Sequence, residues 1–201
     1  RDNIPDITVP EIPEDPSNYL PFLYEENLFE TNNISNLDKD RTKLYQTEYE
    51  RVKSKSKFTD LSDYMTNLEM ESKVEFLTKF NIPRVSQLSQ RSNQFNLRTI
   101  RYSEEDLLEI MKSDNKYGLV FQLKDKFGAY GIISFVIIEM MSSNQAFIEN
   151  WAMSCRVLER GMENFIINYI QDFCISKEIN QIISEYIKTP KNTLVKDLYL
   201  R

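Results

Sequence analysis

Three apolar segments lie close together in the second half of the chain, and they constrain its fold more than any other feature. Tyr117–Lys124 and Gly131–Met140 have the composition of strands, and Phe127–Gly131 between them predicts a hairpin. Ala146–Met153 predicts a third strand, and apolar residues at helical spacing in Gly161–Phe173 predict a helix with one buried face. Antiparallel strands followed by such a helix indicate a mixed α/β domain built on one sheet.

Further elements are predicted on both sides of this block. Arg98–Tyr102 predicts a strand, and Ser103–Asp106 has the pattern of a capping box that opens a helix. After the long helix, Gln181–Ile187 predicts another strand and Asn192–Leu200 a final helix. The predicted order from Arg98 onward is therefore β-α-β-β-β-α-β-α.

Composition removes several functional classes. The chain has 201 residues, a net charge of −6 and a pI near 4.9, which disfavours nucleic-acid binding. It has no histidine, so neither a Ser–His or Cys–His dyad nor a typical zinc site can form within it. Two cysteines do not make a disulfide framework at this length, which favours a reducing, cytoplasmic location. No apolar run reaches the roughly 18 residues of a membrane span.

One cysteine stands in a segment with the features of a reactive site. Cys155 lies in SCRVLERGMENF, beside Arg156 and Arg160 and just before the helix that begins at Gly161. Cations and a helix N-terminus lower a cysteine pKa from about 8.5 into the range of about 3.5–7.5, which produces the nucleophilic thiolate. The alternative is a small buried residue at a strand end. Cys174, on the apolar face of the helix, is interpreted as core.

The predicted order of elements resembles a GNAT-type acyltransferase fold. In that fold the loop after the long central strand enters a helix and has the pattern [QR]-x-x-G-x-[GA], because backbone N–H groups at a helix start favour an anion. Arg156 and Gly161 match the pattern. Glu159 stands where the first glycine would be and puts a carboxylate where a phosphate would lie.

Four stretches carry a second, wider resemblance. They are Val9–Pro16; Asn93–Leu97 with Thr99, Arg101 and Tyr102; Trp151 and Met153–Leu158 with Arg160, Gly161 and Glu163; and Glu185–Ile187 with Thr189, Lys191 and Asn192. In this order they resemble the C-terminal portion of the FkbH-like family of bifunctional glyceryltransferase/phosphatases. The family's runs there are an end segment of its N-terminal haloacid-dehalogenase-like (HAD) domain, then TNQFNLTTRRY, WxMSCRVLGRGxE and EYIPTAKN.

The resemblance implies a division of the chain. Residues 1–35 would be the tail of an HAD-like domain, 36–92 a helical connector and 93–201 a GNAT-like domain. The paired aspartates of the HAD motif are absent, and the first residue is Arg1 and not methionine, so we interpret the chain as part of a longer protein without phosphatase chemistry of its own. Ala129 also replaces the family's aspartate in the hairpin.

The resemblance also implies a reaction and its partners. The whole protein would take a glyceryl group from 1,3-bisphosphoglycerate, remove the phosphate and deliver the glyceryl unit as a thioester to an acyl carrier protein, for polyketide-type extender-unit biosynthesis. The phosphopantetheine of the carrier would be the co-substrate, and Mg²⁺ would belong to the HAD-like domain. Cys155 would be the covalent glyceryl carrier, with Arg156, Arg160 and Gly161 as the cradle for an anion or for the pantetheine arm.

Other site residues are proposed with ordinary alternatives beside them. Asn93, Gln94 and Asn96 would orient the acyl group through amide donors, or serve as turn and capping residues. Glu185 is the candidate general base, and Asn192 would contact substrate or cap the final helix.

Two rival functions remain open at this stage. One is a CoA-dependent GNAT N-acetyltransferase that binds acetyl-CoA at the loop containing Arg156 and Gly161. The other is a non-catalytic domain that docks the carrier protein or rigidifies the HAD-like domain. The carrier, the final product and the oligomeric state are beyond what the sequence establishes.

Overall fold

The part of the chain that the structure describes contains both α-helices and β-strands. The structure is a computed structural model that describes residues 11–25 and 36–200, with the backbone alone described for 36–45 and for residue 200. The helices are α1 (Tyr19–Glu25), α2 (Asn36–Lys55), α3 (Leu61–Asn67), α4 (Ile82–Arg91), α5 (Glu104–Lys112) and α6 (Met162–Ser176). The strands are β1 (Glu71–Phe76), β2 (Lys116–Asp125), β3 (Gly128–Ser142), β4 (Gln145–Met153) and β5 (Gln181–Ser184).

The chain divides into two compact units, Arg1–Tyr49 and Glu50–Arg201. In the first unit, Asp15 caps a short 3₁₀ turn by accepting a hydrogen bond from the Ser17 N–H at 2.9 Å, and α1 follows without buried residues. Much of the predicted segment 1–35 lies outside the described residues. The second unit contains all five described strands, so the boundary that we placed between residues 92 and 93 falls inside it.

One mixed sheet organises the second unit. Its strand order is β1-β2-β3-β4-β5, and neighbouring strands are antiparallel except for β4 and β5, which run parallel. This mixed sheet with its helices confirms the predicted α/β class and has the GNAT-like order of elements. No helix among the described residues is long and apolar enough to cross a bilayer.

The three central strands, β2, β3 and β4, are buried on both faces over much of their length, which explains why they are largely apolar. Every second residue of β2 around Phe121 packs with Ile166 and Ile170 of α6. Val120, which points to the opposite face, packs with residues of α4 and α5. Successive side chains of a strand point to opposite faces, so two covered faces require continuous apolar strands. The unit therefore has three layers, with the sheet in the middle.

The first strand of the sheet is β1, and the strand predicted at Arg98–Tyr102 is absent from the structure. Thr99 has a φ of 58°, a left-handed conformation that a β-branched residue rarely adopts. The Asn96 side chain sets this conformation, because its Oδ1 accepts the Thr99 N–H at 2.8 Å and closes a local turn. A strand cannot continue through such a turn.

The C-terminal end also differs from the prediction. The helix predicted at Asn192–Leu200 is two short 3₁₀ turns, Thr193–Val195 and Leu198–Leu200, and β5 ends at Ser184 instead of Ile187. Asn192 precedes the first turn without capping it through its side chain. That side chain is used for tertiary contacts, described below.

An extended segment, residues 95–97, fills a gap between β4 and the chain that follows β5. The parallel pairing of β4 and β5 ends at Ile148 and Ser184. Beyond that point Leu97 N–H donates to the Trp151 carbonyl at 3.1 Å, and Met153 N–H donates to the Phe95 carbonyl at 3.0 Å. The segment thus pairs with the second half of β4 in place of β5.

The other edge of this segment is also paired. Ile187 N–H donates to the Leu97 carbonyl at 2.8 Å, and the Asn192 side-chain amide donates at 2.9 Å to the carbonyls of both Asn96 and Ile187. Asn192 Oδ1 accepts from the Thr189 N–H at 2.7 Å. Asn192 is fully buried and therefore joins the segment to the C-terminal chain.

A buried ionic cluster lies near the β2–β3 hairpin. Asp125 accepts two hydrogen bonds from Arg51, at 2.7 and 2.9 Å, and backbone N–H groups of Phe127 and Gly128 donate to it at 3.0 Å each. Burial opposes ionisation of Asp125, but these hydrogen bonds and the Arg51 charge outweigh it and lower the pKa of that carboxyl. The cluster thus holds the hairpin to the end of α2.

We expect Asp125→Asn to lower the free energy of unfolding by about 3–5 kcal/mol, because it removes the carboxylate that pairs with the buried Arg51 guanidinium. The native pKa of Asp125 lies below the unfolded value of about 3.9, so its contribution is complete above that pH and is lost as pH falls through the native pKa. Urea unfolding at several pH values measures both effects. Asp172→Asn, at an exposed position on α6, is the control and should change little; equal effects of the two substitutions would contradict this role for Asp125.

We expect Asn192→Ala to destabilise the protein by about 2–4 kcal/mol, because buried backbone carbonyls lose their donors. Asn164→Ala, at an exposed position of α6, serves as the matched control. Chemical denaturation followed by circular dichroism measures both variants, and an unchanged midpoint for Asn192→Ala would show that the connection is dispensable.

Candidate functional site

A cavity of about 670 Å³ opens at the C-terminal end of β4. Leu88, Phe95 and Met153, all buried, contribute its apolar lining. The polar and charged lining residues are Arg84, Gln87, Arg91, Ser92, Asn93, Gln94, Ser154, Cys155, Arg156 and Lys191. The cavity therefore brings together four of the site residues predicted from the sequence: Asn93, Gln94, Cys155 and Arg156.

Cys155 stands on the wall of this cavity with an exposed side chain. It begins a three-residue 3₁₀ turn, Cys155–Val157, immediately after β4, and the Ser154 hydroxyl caps this turn by accepting the Arg156 N–H at 3.4 Å. The alternative of a small buried core residue is therefore wrong for Cys155. Cys174 is buried as predicted, and burial raises the pKa of its thiol.

The cations of the cavity come from three parts of the chain. Arg84 and Arg91 lie on α4, Arg156 follows Cys155, and Lys191 lies in the C-terminal segment. Among the described residues that line the cavity none is acidic, although the protein as a whole carries a net charge of −6. The cavity is therefore a locally positive site on an acidic protein, which suits an anionic ligand.

Sequence reasoning missed the two arginines of α4. The spacing of these residues could have predicted a shared polar face. Arg84, Gln87 and Arg91 are spaced i, i+3 and i+7, which places them on one side of the helix. Partial burial and the positive charges of Arg156 and Arg91 lower the pKa of Arg84. All three arginines line the same cavity, so they are placed to act on one ligand.

Asn93 is oriented by Arg101. The Arg101 guanidinium donates to Asn93 Oδ1 and also to the Ser92 carbonyl at 2.8 Å, at the C-terminal end of α4. Since a guanidinium can only donate, the Asn93 side chain must present its oxygen to Arg101 and its NH₂ group elsewhere. Within the described part of the chain no acceptor is assigned to that NH₂, and the residue lines the cavity, so it is available to a ligand oxygen.

The structure places the other predicted site residues away from the cavity lining. Arg160 lies 3.7 Å from Asp125 and stacks over the Tyr130 ring at 5.1 Å, so it belongs to the ionic cluster of the hairpin. Glu185 pairs with Arg98 at 2.8 Å. Gly161 is the N-cap of α6 and is exposed.

Asn96 and Asn192 also act in the architecture. Asn96 is fully buried; its side chain holds the turn at Thr99, and its carbonyl accepts from Asn192. Both amides are thus engaged in internal hydrogen bonds, and neither lines the cavity among the described residues. By fixing residues 95–97, Asn96 and Asn192 position Asn93 and Gln94, which come directly before that segment.

A second polar cavity, of about 520 Å³, is lined partly by residues of opposite charge. Glu149 lies at the irregularity in the β3–β4 pairing, accepts the Tyr102 hydroxyl at 2.9 Å and pairs with Lys116. Burial and the Glu149 charge raise the pKa of Tyr102. The Glu149 carboxylate is therefore paired within the protein, with Lys116 and the Tyr102 hydroxyl. The described residues contain no cluster of acidic and cysteine side chains that could hold a metal ion.

The loop between Cys155 and α6 contains an unfavourable backbone conformation. Glu159 has a φ of 61°, in the left-handed region, where a side chain costs about 1–2 kcal/mol. Glu159 occupies the position at which the resemblance expects glycine, and the backbone angle gives the physical reason for a glycine there. Glu163 adds a second carboxylate in the first turn of α6, so this helix start is poorly suited to a phosphate.

We expect Glu159→Gly to raise the free energy of unfolding by about 0.5–1 kcal/mol, because glycine adopts positive φ without steric conflict. Glu163→Gly, within the first turn of α6, should instead destabilise by about 1 kcal/mol. Thermal and urea denaturation of the two variants against the parent give the comparison. A loss of stability in Glu159→Gly would show that the carboxylate makes a stabilising contact that outweighs the strain.

No protein-family model matches the chain, and no curated protein matches it either. Solved structures with a similar chain fold include the ribosomal-protein-S18-alanine N-acetyltransferase of Escherichia coli, at 15% identity over 65% of this chain and 75% of that chain, with a TM-score of 0.49. The aminoglycoside N-acetyltransferase AAC(6')-Iy in complex with CoA is similar at 16% identity over 65% of this chain and 86% of that chain, with a TM-score of 0.47. A GNAT family acetyltransferase from Staphylococcus aureus is similar at 14% identity over 58% and 87%, with a TM-score of 0.45.

Proposed function

We propose that this chain transfers an acyl group, a glyceryl unit by the FkbH-like resemblance, to the phosphopantetheine thiol of an acyl carrier protein through a thioester on Cys155. The observation that carries the proposal is the position of the Cys155 thiol. It is exposed on the wall of a cavity that also presents four cations and the amides of Asn93 and Gln94.

The proposed reaction has two steps. The Cys155 thiolate attacks the carbonyl carbon of an acyl phosphate, so that a C–S bond forms and the C–O bond to phosphate breaks, with phosphate leaving as the anion and the thiol proton passing to solvent. The carrier thiolate then attacks the same carbon, and the bond to Cys155 breaks with return of the thiolate. Both steps build negative charge on the carbonyl oxygen, which the Asn93 NH₂ is available to stabilise.

The composition of the cavity favours thiol chemistry over amine chemistry. An amine acceptor must lose a proton to a base near neutral pH, whereas a thiol ionises without one near a pKa of about 8.5. The described lining contains no carboxylate, and Glu185, proposed as the base, pairs with Arg98. A thiol acceptor therefore suits this cavity better than an amine, and Glu185 has no part in the proposed steps.

The filled gap beside β4 also counts against a CoA-dependent N-acetyltransferase. An extended, amide-bearing pantetheine arm that paired with the second half of β4 would need the Trp151 carbonyl and the Met153 N–H. Residues 95–97 already bond to both groups. The carrier arm is therefore proposed to enter through the Cys155 cavity. Removal of the second phosphate of the bisphosphate donor, with Mg²⁺, is assigned to an HAD-like domain whose motif this sequence does not contain.

The test is covalent loading followed by transfer. We expect incubation with a glyceryl thioester of N-acetylcysteamine to add one glyceryl group to the peptide containing Cys155, as measured by mass spectrometry of the native protein. Addition of a phosphopantetheine-bearing carrier protein should discharge it with the appearance of glyceryl-carrier. Cys155→Ser should abolish loading, whereas Cys174→Ser should retain it.

Three results would overturn the proposal. Equal labelling of both cysteines only after unfolding would show that Cys155 is inert. Retained carrier binding without loading would instead favour the docking function. A dose-dependent thermal shift with acetyl-CoA that Cys155→Ser leaves unchanged would favour the N-acetyltransferase.

A further inference from the structure

We propose that Arg84 and Arg91 of α4, with Arg156 and Lys191, form a recognition site for the phosphate group of the ligand that reacts at Cys155. This inference rests on the proposed function, because it names the ligand chemistry of the same cavity. It moves anion recognition away from the start of α6, where the sequence had placed it, to the exposed face of α4.

The first argument is electrostatic. Four cationic side chains line one cavity, and the described lining contains no carboxylate that would neutralise them. Elsewhere in the described chain, cations such as Arg51, Arg98 and Lys116 do lie in ion pairs. Cations that converge without a carboxylate in the described lining repel one another, and a bound anion relieves that repulsion.

The second argument concerns geometry. Arg84 donates to the Gln87 side chain, its neighbour one turn along α4, which limits the positions of that guanidinium. Arg91 lies two turns from Arg84 on the same face, at the end where the helix meets Asn93. Guanidinium groups bind phosphate through paired N–H donors, and a helix is a rigid base for them.

The third argument is the exclusion of the other anion site. Glu159 and Glu163 place two carboxylates near the N-terminus of α6, and Arg160 of the same loop is engaged by Asp125 and Tyr130. The end of the loop next to α6 therefore repels a phosphate, whereas Arg156 at the start of the loop lines the cavity. A phosphorylated ligand at Cys155 is therefore held from the α4 side of the cavity.

Two ligands could supply the phosphate, a phosphorylated three-carbon acyl donor or the phosphopantetheine arm of the carrier. The two sources share the same group and are separated by matched probes. 3-Phosphoglycerate is compared with glycerate, and 4′-phosphopantetheine with pantetheine. Binding to Cys155→Ser protein, measured by isothermal titration calorimetry, does not depend on the reactivity of the thiol.

We expect the phosphate group to improve binding at least about tenfold in one of the two pairs, as charge-assisted contacts from more than one arginine would. The pair that shows the larger gain identifies the source. Arg84→Gln and Arg91→Gln should each reduce this gain severalfold, whereas Lys112→Gln, an exposed cation at the end of α5, should leave it unchanged. Equal binding within both pairs, or equal effects of all three substitutions, would overturn the inference.

A kinetic measurement on the parent protein gives an independent reading. Iodoacetate and iodoacetamide attack the same thiolate and differ in charge, so the ratio of their rates at Cys155 reports the local potential separately from the thiol pKa. We expect this ratio to exceed that of N-acetylcysteine by roughly three- to tenfold at low salt and to fall as salt is added. A ratio at or below that of N-acetylcysteine would contradict a positive site. A slow reaction with both reagents would count against the proposed function alone, because the calorimetry still decides the anion site.

Discussion

The separation of β4 from β5 leaves backbone groups of β4 without a strand partner inside the protein, and the rest of the structure depends on how they are paired. Buried N–H and C=O groups are almost always hydrogen-bonded, because leaving one unpaired costs as much as a lost hydrogen bond. Residues 95–97 supply the partners, and Asn192 holds them from the other side. This arrangement fixes Asn93 and Gln94 at the mouth of the cavity, where β4 ends and Cys155 begins the next turn.

Much of the fold could be predicted because its signals are local. The apolar strands, the capping box at Ser103 and the helix after Gly161 follow from composition and spacing, and the structure has each of them within a few residues. The segment 98–102 could not be read correctly, because the turn at Thr99 depends on the Asn96 side chain, which overrides strand propensity. Propensity is a weak prior wherever a side chain bonds the backbone nearby.

The candidate site shows the same division between local and distant causes. Cys155, Arg156, Asn93 and Gln94, which the sequence assigned to one site, line one cavity, although they come from two separate stretches of the chain. The sequence could not show that Arg160 lies away from the cavity lining. Its partner, Asp125, is at the end of β2, far from Arg160 in the sequence. Side chains of this kind are assigned only by tertiary contacts.

The chain contains a single tryptophan, and its position has a practical consequence. The Trp151 ring is fully buried and donates from Nε1 to the Ser134 hydroxyl at 3.0 Å. It meets the Phe95 ring edge-on at 5.1 Å, and its carbonyl accepts from Leu97. Trp151 therefore contacts residues 95–97 through both its side chain and its backbone. The emission of this one fluorophore is a built-in optical signal for whether residues 95–97 are seated beside β4 or withdrawn from it.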